Sequence, residues 1–396
     1  DLGVRSAGLA EVFNTLGFSQ AARVEAIKSL SRDYTNFSAH RMLSDSYDTI
    51  FLNDARLSER KLAELLSPLS FNLFHRPSSD ASLNEYSTLF ERNETRYELS
   101  NTWSTADDLL EPAVSVAGKT DELGYFFGYN SDLTGGSKAG NFSQRHTMES
   151  KFQYQPSYED RFLLTGDLLY RDKFDNNEDL TASDFDDFSS SLGYSHRFGP
   201  QSKLIAEATY SNDRSDFLRN AAQRTIGISE HSPSTDIAGF DDIVLNEFSR
   251  EKVKSFRSTA QYLYDSENVS FVFGSEYYTA RPDRNETSLI LGDNAGAFND
   301  LAFYLVSHGE NIVDSYDFYN YTTFHVASWV DLIAGANFSE LEKETHEVTP
   351  FSDATEHRSK LAPKFGAILY PTDTTTVRAA YFETLRKSSL EDTGAL

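Results

Sequence analysis

The chain has 396 residues, a formal net charge of −25 and a pI near 4.7, so a nucleic-acid backbone or anionic surface is repelled unless basic side chains gather locally. No basic run occurs along the sequence. Cysteine is absent, which excludes disulfide staples, thiolate catalysis and zinc-thiolate sites.

From Asp1 to about Pro68 the apolar spacing is helical: Leu9, Val12, Phe13 and Leu16 recur at three to four residues and Gly17 ends that run. Ala21, Val24 and Ile27 begin a second helix. A shift of 34 residues places Leu9 on Leu43, Ala10 on Ser44 and Phe13 on Tyr47. With small residues at Ala10, Ala22, Ala26 and Ser29, where paired helices approach closely, residues 1–68 resemble tetratricopeptide-repeat helices. An ordinary helical subdomain has the same spacing. Residues 69–92, with Pro77 and several Ser and Asn, keep no period and read as a linker.

Beyond Leu89 the period changes to two and stays there. Strands are predicted near 93–104, 111–119, 122–132, 145–155, 160–171, 187–198, 202–211, 252–264, 268–279, 316–326, 329–339, 359–370 and 375–385. Each carries a polar and an apolar row. Arg161, Asp167, Arg171, Lys203, Glu207, Arg257, Glu276, Asp331, Lys364 and Arg378 fall in polar rows, and Phe162, Leu164, Leu168, Leu204, Phe271, Phe273, Leu332, Phe338, Phe365 and Leu369 in apolar ones. No stretch reaches the roughly 18 apolar residues of a membrane-crossing helix, but a transmembrane barrel strand needs only about 10 alternating ones. The 21 tyrosines and 30 phenylalanines, against 2 methionines, suit sheets with aromatic borders.

The predicted connections alternate in length. They are short near 120, 156–159, 199–201, 265–267, 327–328 and 371–374, and mostly long near 105–110, 133–144, 172–186, 212–251, 280–315 and 340–358. Outer-membrane barrels place short turns in the periplasm and long loops outside. The fold expected at 93–396 is therefore mainly β, an antiparallel transmembrane β-barrel of about 13 or 14 strands behind a small helical segment. The polar rows then line the lumen and the apolar rows face lipid. An odd strand count leaves the wall open, so the barrel is expected to be cut short at the C-terminus and the chain to be a piece of a longer protein.

The segment SKLAPKFGAILYPTDTTTVRAAYFETLRKSSLE, Ser359 to Glu391, resembles TonB-dependent outer-membrane receptors, where a strand, a Tyr-Pro-Thr-Asp turn, a second strand and a Phe-Arg-Ala-Pro-Ser-Leu-Glu stretch recur. Leu385, Arg386, Ser389, Leu390 and Glu391 match that stretch, while Lys387-Ser388 replace its Ala-Pro. The first hundred residues are similar to bacterial proteins joining tetratricopeptide repeats to such a barrel. The resemblance implies a receptor or transporter for a polar solute in the outer membrane of a Gram-negative cell, with periplasmic helices docking a protein partner and a TonB-system component as a possible second partner. No plug or TonB box precedes the first predicted strand.

Chemistry beyond transport has little support. The nine histidines lack metal-ligand spacing, and the loop at 133–140 is glycine-rich without Walker spacing. Asp175, Glu178 and Asp179 offer oxygen ligands and form a weak calcium candidate without the glycine of a dedicated loop. No catalytic residue, cofactor or nucleic-acid partner is expected. An exopolysaccharide-export porin, which also joins helical repeats to a barrel, and a soluble surface β-sandwich adhesin stay open as alternatives.

Overall fold

The computed structural model describes residues 93–105, 108–135, 141–176, 180–224, 242–293, 301–348, 351–372 and 375–383, with Ala10, Glu25, Ala26 and Ser29 described singly. Those four are helical and buried. The rest of the tetratricopeptide-like segment 1–68, the linker 69–92 and the motif residues Leu385 to Glu391 lie outside the described residues.

Thirteen strands form one antiparallel sheet in chain order: β1 (Glu94–Ser104), β2 (Leu109–Lys119), β3 (Leu123–Thr134), β4 (Phe142–Tyr154), β5 (Asp160–Asn176), β6 (Leu180–Gly199), β7 (Ser202–Arg224), β8 (Asp242–Asp265), β9 (Val269–Asp293), β10 (Leu301–Ala327), β11 (Val330–Val348), β12 (Phe351–Thr372) and β13 (Thr375–Phe382). Every strand pairs with its sequence neighbours, and β1 and β13 are the two edges. No second sheet covers either face among the described residues.

Tight turns cluster at one end. Ser157 Oγ accepts from the backbone N–H of Asp160 at 3.0 Å, and Ser266 Oγ donates to the Val269 carbonyl at 2.8 Å while its N–H donates to the same oxygen at 2.9 Å. A short hydroxyl side chain that bonds its own backbone closes a reversal without a long loop.

At the other end the sequence reading needs correction. Residues 172–186, 212–251, 280–315 and 340–358, expected as long loops, are mostly strand: β7, β8, β9 and β10 run for 23, 24, 25 and 27 residues. The reason is physical. Where water wets both faces, the apolar-polar alternation that reveals a strand disappears, yet the backbone ladder continues. Ion pairs support these extensions, as where Arg250 Nε and Nη2 donate to the Asp216 carboxylate at 2.8 and 3.0 Å across β7 and β8.

The two faces differ sharply in burial. Arg161, Leu163, Ile205, Gln261, Val272, Asp317, Tyr319 and Lys364 are buried and share one face, here the inner face, whereas Phe162, Leu164, Leu192, Phe273, Leu332 and Phe365 are exposed on the outer face. In a single sheet, side chains on one face can bury only one another, which requires that face to be concave. Close approaches fill it: the Tyr319 ring of β10 lies over Gly274 of β9, where any Cβ would collide with it.

Candidate functional site

The inner face carries the chemistry. All ten residues of the predicted polar rows occupy it by register, although the side chain of Arg378 lies outside the described residues. Arg257 reaches Glu276 at 3.9 Å and stacks over the Tyr278 ring at 5.3 Å. Glu207 accepts from Thr209 at 3.3 Å, Asp167 from Ser189 at 3.3 Å, and Asp331 from Tyr370 at 3.1 Å with His325 Nδ1 at 2.8 Å. Lys364 donates to the Tyr321 hydroxyl at 2.8 Å and lies 5.2 Å over its ring. Arg171 stacks on Phe185 at 5.6 Å, Lys203 pairs in register with Arg197, and Arg161 is buried at the start of β5.

Thr259, Asp317 and Ser339 of the inner face were missed from sequence, whereas Glu207 and Glu276 were expected there. Glu207, Thr259, Glu276, Asp317 and Ser339 stand opposite one another on five successive strands and form a single row. Ser339 Oγ donates to Asp317 at 2.5 Å and receives the Asn337 amide at 2.8 Å. Ser191 and Thr209 hydroxyls meet at 2.7 Å, as do Ser211 and Ser255. Glu149, Lys151 and Gln153 were legible, because their alternation in β4 places them on this face. The row itself was not, since register between distant strands is not written in any one of them.

The outer face is built differently. All ten residues of the predicted apolar rows occupy it. Near the tight turns, aromatic rings touch in sequence around the sheet: Tyr154–Phe162 at 6.3 Å, Phe162–Tyr194 at 4.8 Å, His196–Phe198 at 4.4 Å, Phe198–Tyr262 at 6.0 Å and Tyr262–Phe271 at 5.8 Å. Farther along the strands a second girdle joins Tyr129 to His146 at 6.2 Å, His146 to Tyr170 at 6.0 Å, Phe188 to Tyr210 at 6.4 Å, Phe256 to Tyr277 at 6.3 Å and Tyr277 to Tyr316 at 4.8 Å. Tyr170, Tyr210 and Tyr277, expected near strand ends, lie within their strands, because those strands continue past them.

Between the girdles the outer face of β3 to β12 carries no Asp, Glu, Lys or Arg among the described residues. Eight residues separate Phe162 from Tyr170, about 26 Å along the strand and near 20 Å in height at a 45° tilt. An uncharged belt of that height between aromatic borders approaches the apolar band of about 25 Å that outer-membrane barrels carry.

The sheet has the fold of an outer-membrane β-barrel wall. It superposes on the ferric-catecholate import receptor Fiu from E. coli K12 with a TM-score of 0.50 at 10% identity, covering 74% of this chain and 54% of that one. The siderophore receptor PiuA from Acinetobacter baumannii gives 0.51 at 10% identity over 74% and 49%. The ferric yersiniabactin uptake receptor FyuA from Yersinia pestis gives 0.50 at 13% identity over 72% and 46%. This chain spans about half the length of the receptors it matches. No family model and no curated protein matches the sequence.

The calcium candidate does not come together among the described residues. Asp175 Oδ1 accepts the Asn141 amide at 2.9 Å, while Glu178 and Asp179 lie outside them. No group of three metal-ligating side chains occurs among the described residues.

Proposed function

We propose that this chain forms part of the wall of an outer-membrane receptor barrel that takes up a polar solute through its charged inner face. The observation that carries the reading is the uncharged outer belt between two aromatic girdles, backed by an inner face of paired charges and hydroxyls. Facing lipid, a basic side chain costs roughly 2–4 kcal/mol at mid-depth. Facing a lumen, it is solvated or paired.

The ten polar-row residues are assigned to the lumen lining and the ten apolar-row residues to the lipid surface. The tight turns point to the periplasm, where the segment 1–68, helical in its sequence period, would dock a protein partner. The inner face offers carboxylates and hydroxyls in one row and Arg257 over Tyr278 in the next, a surface suited to a charged, hydrogen-bonding solute. Ferric chelates, the cargo of Fiu and FyuA by name, are the first class to test.

Fractionation provides the primary test. Outer-membrane recovery, detergent dependence and a gel mobility that changes on boiling are expected. Recovery as a soluble species without detergent would overturn the reading. For transport, expression in a cell lacking its own ferric-chelate receptors should restore growth on one such chelate. Restored outer-membrane insertion with no chelate supporting growth would remove the proposed cargo class and leave the barrel.

A further inference from the structure

Beside the inner-face row of Glu207, Thr259, Glu276, Asp317 and Ser339 runs a second row of different make-up. One level nearer the tight turns, Ile205, Gln261, Gly274, Tyr319 and Asn337 stand opposite one another on the same five strands, β7 to β11. The Tyr319 ring lies over Gly274 in the middle of it. Gln261 and Asn337 flank that ring, each 8% exposed, and each buries a side-chain carbonyl oxygen that receives no hydrogen bond. Such an acceptor has given up water without gaining a donor.

The acidic row supplies the charge. Glu276 stands directly opposite Asp317, and Glu207 and Glu276 flank Thr259 from either side. Like charges facing each other across strands destabilise a sheet. Part of this is offset: Arg257, one level farther from the turns, reaches Glu276 at 3.9 Å, and Ser339 and Ser315 donate to Asp317 at 2.5 and 3.4 Å. Of the nearby lysines, Lys360, opposite Ser339, pairs with Glu383 at 3.2 Å, while Lys203 and Lys364 stand one level nearer the turns, where Lys364 bonds Tyr321. Within the two rows themselves, β7 to β11 carry three carboxylates and no lysine or arginine. Carboxylates, orphaned amide oxygens and a tyrosine ring in two adjacent rows call for a cation that brings its own N–H donors. A metal ion is the poorer match, because no group of three metal-ligating side chains converges among the described residues.

We propose that these two rows hold a linear solute by two primary ammonium groups, one at Gln261 between Glu207 and Glu276, the other at Asn337 beside Asp317. The proposal rests on the barrel reading above and narrows its solute to a class. The hydrogen bonds from Asn337 to Ser339 and from Ser339 to Asp317 fix the second position. Gln261 and Asn337 are three strands apart, about 14 Å at the usual strand spacing. One ammonium cannot serve both, whereas a flexible chain with an amine at each end can.

The test titrates the full chain in phosphatidylcholine nanodiscs with 1,10-diaminodecane, with decamethonium and with 1,4-diaminobutane, read by calorimetry. Decamethonium carries the same two charges at the same spacing without an N–H donor, and diaminobutane has the donors without the reach. Saturable binding of diaminodecane is expected, at least about tenfold tighter than either analogue. Gln261→Leu and Asn337→Leu should each weaken it about tenfold, since each removes an acceptor for a charged donor, while Glu340→Gln on the outer face leaves it unchanged. Gln261→Leu should not lower stability to urea, because the oxygen it removes had no donor. Equal binding of decamethonium, no saturable binding of diaminodecane, or undiminished binding in both leucine variants would each overturn the proposal, as would a Gln261→Leu chain that loses urea stability in step with affinity. A heat-modifiable chain with any of those outcomes loses only the solute class. A chain that never requires detergent loses the barrel reading as well.

Discussion

Placing one arginine at two depths of the same face separates a lipid-facing belt from an ordinary exposed surface. Leu164 in β5 lies between the girdles and is 47% exposed, and Leu218 in β7 lies eight residues beyond Tyr210 on the same face and is 41% exposed. Both side chains have nearly equal burial, so the loss of leucine packing cancels in the comparison. Leu164→Arg, two residues inside the girdle residue Phe162, should cost roughly 2 kcal/mol, the low end of the mid-depth range for basic residues, and Leu218→Arg about 0–1 kcal/mol. The expected gap of about 1–2 kcal/mol corresponds to a change of about tenfold in the folding equilibrium. Urea unfolding of the full chain in phospholipid vesicles, read by tryptophan fluorescence and by gel mobility, measures both. Equal costs, within about 0.5 kcal/mol, would mean that no hydrocarbon covers Leu164 and would refute the reasoning.

Three further expectations concern packing and charge. Gly274→Ala should displace the Tyr319 ring and cost about 1–3 kcal/mol, and the loss should largely vanish when Tyr319 is also reduced to alanine, measured as a double-mutant cycle. Lys364, 6% exposed, and Tyr321 should show a coupling near 1.5 kcal/mol in a K364M/Y321F cycle, whereas additive losses would deny the contact. The hydrogen bond from Arg250, with Arg214 beside it, holds the Asp216 carboxyl down at about 2. Because the folded value lies below the unfolded value of about 3.9, the pair contributes fully above that pH and its contribution fades as pH falls toward 2. Between pH 5 and 2 the parent chain should therefore lose about 1 kcal/mol more than Asp216→Asn, a surface-pair magnitude; parallel acid-unfolding curves would contradict it.

Much of the wall was legible because alternation is local. Phe162-Leu163-Leu164-Thr165 shows, within four residues, which side chains share a face, and the same holds at Phe271–Phe273 and Leu332–Ala334. Inside the girdles one face is polar and the other apolar, so the pattern survives and the strand is visible. In β7 from Asp213 onward both faces are wet and the residues read as coil, although they pair with β8 through Arg224. Helical periodicity at 1–68 was equally legible, but its packing falls outside the described residues apart from four buried helical positions.

What the sequence determined alone is the two-sided character of each strand, because side-chain direction along an extended backbone follows from its period of two. Register between strands depends on partners dozens of residues away, so only the folded sheet could bring Glu207, Glu276 and Asp317 into one row. The same cause hid the charge row of the strand extensions: Asp186, Arg214, Lys252 and Asp283 are separated along the chain and become neighbours only through cross-strand pairing.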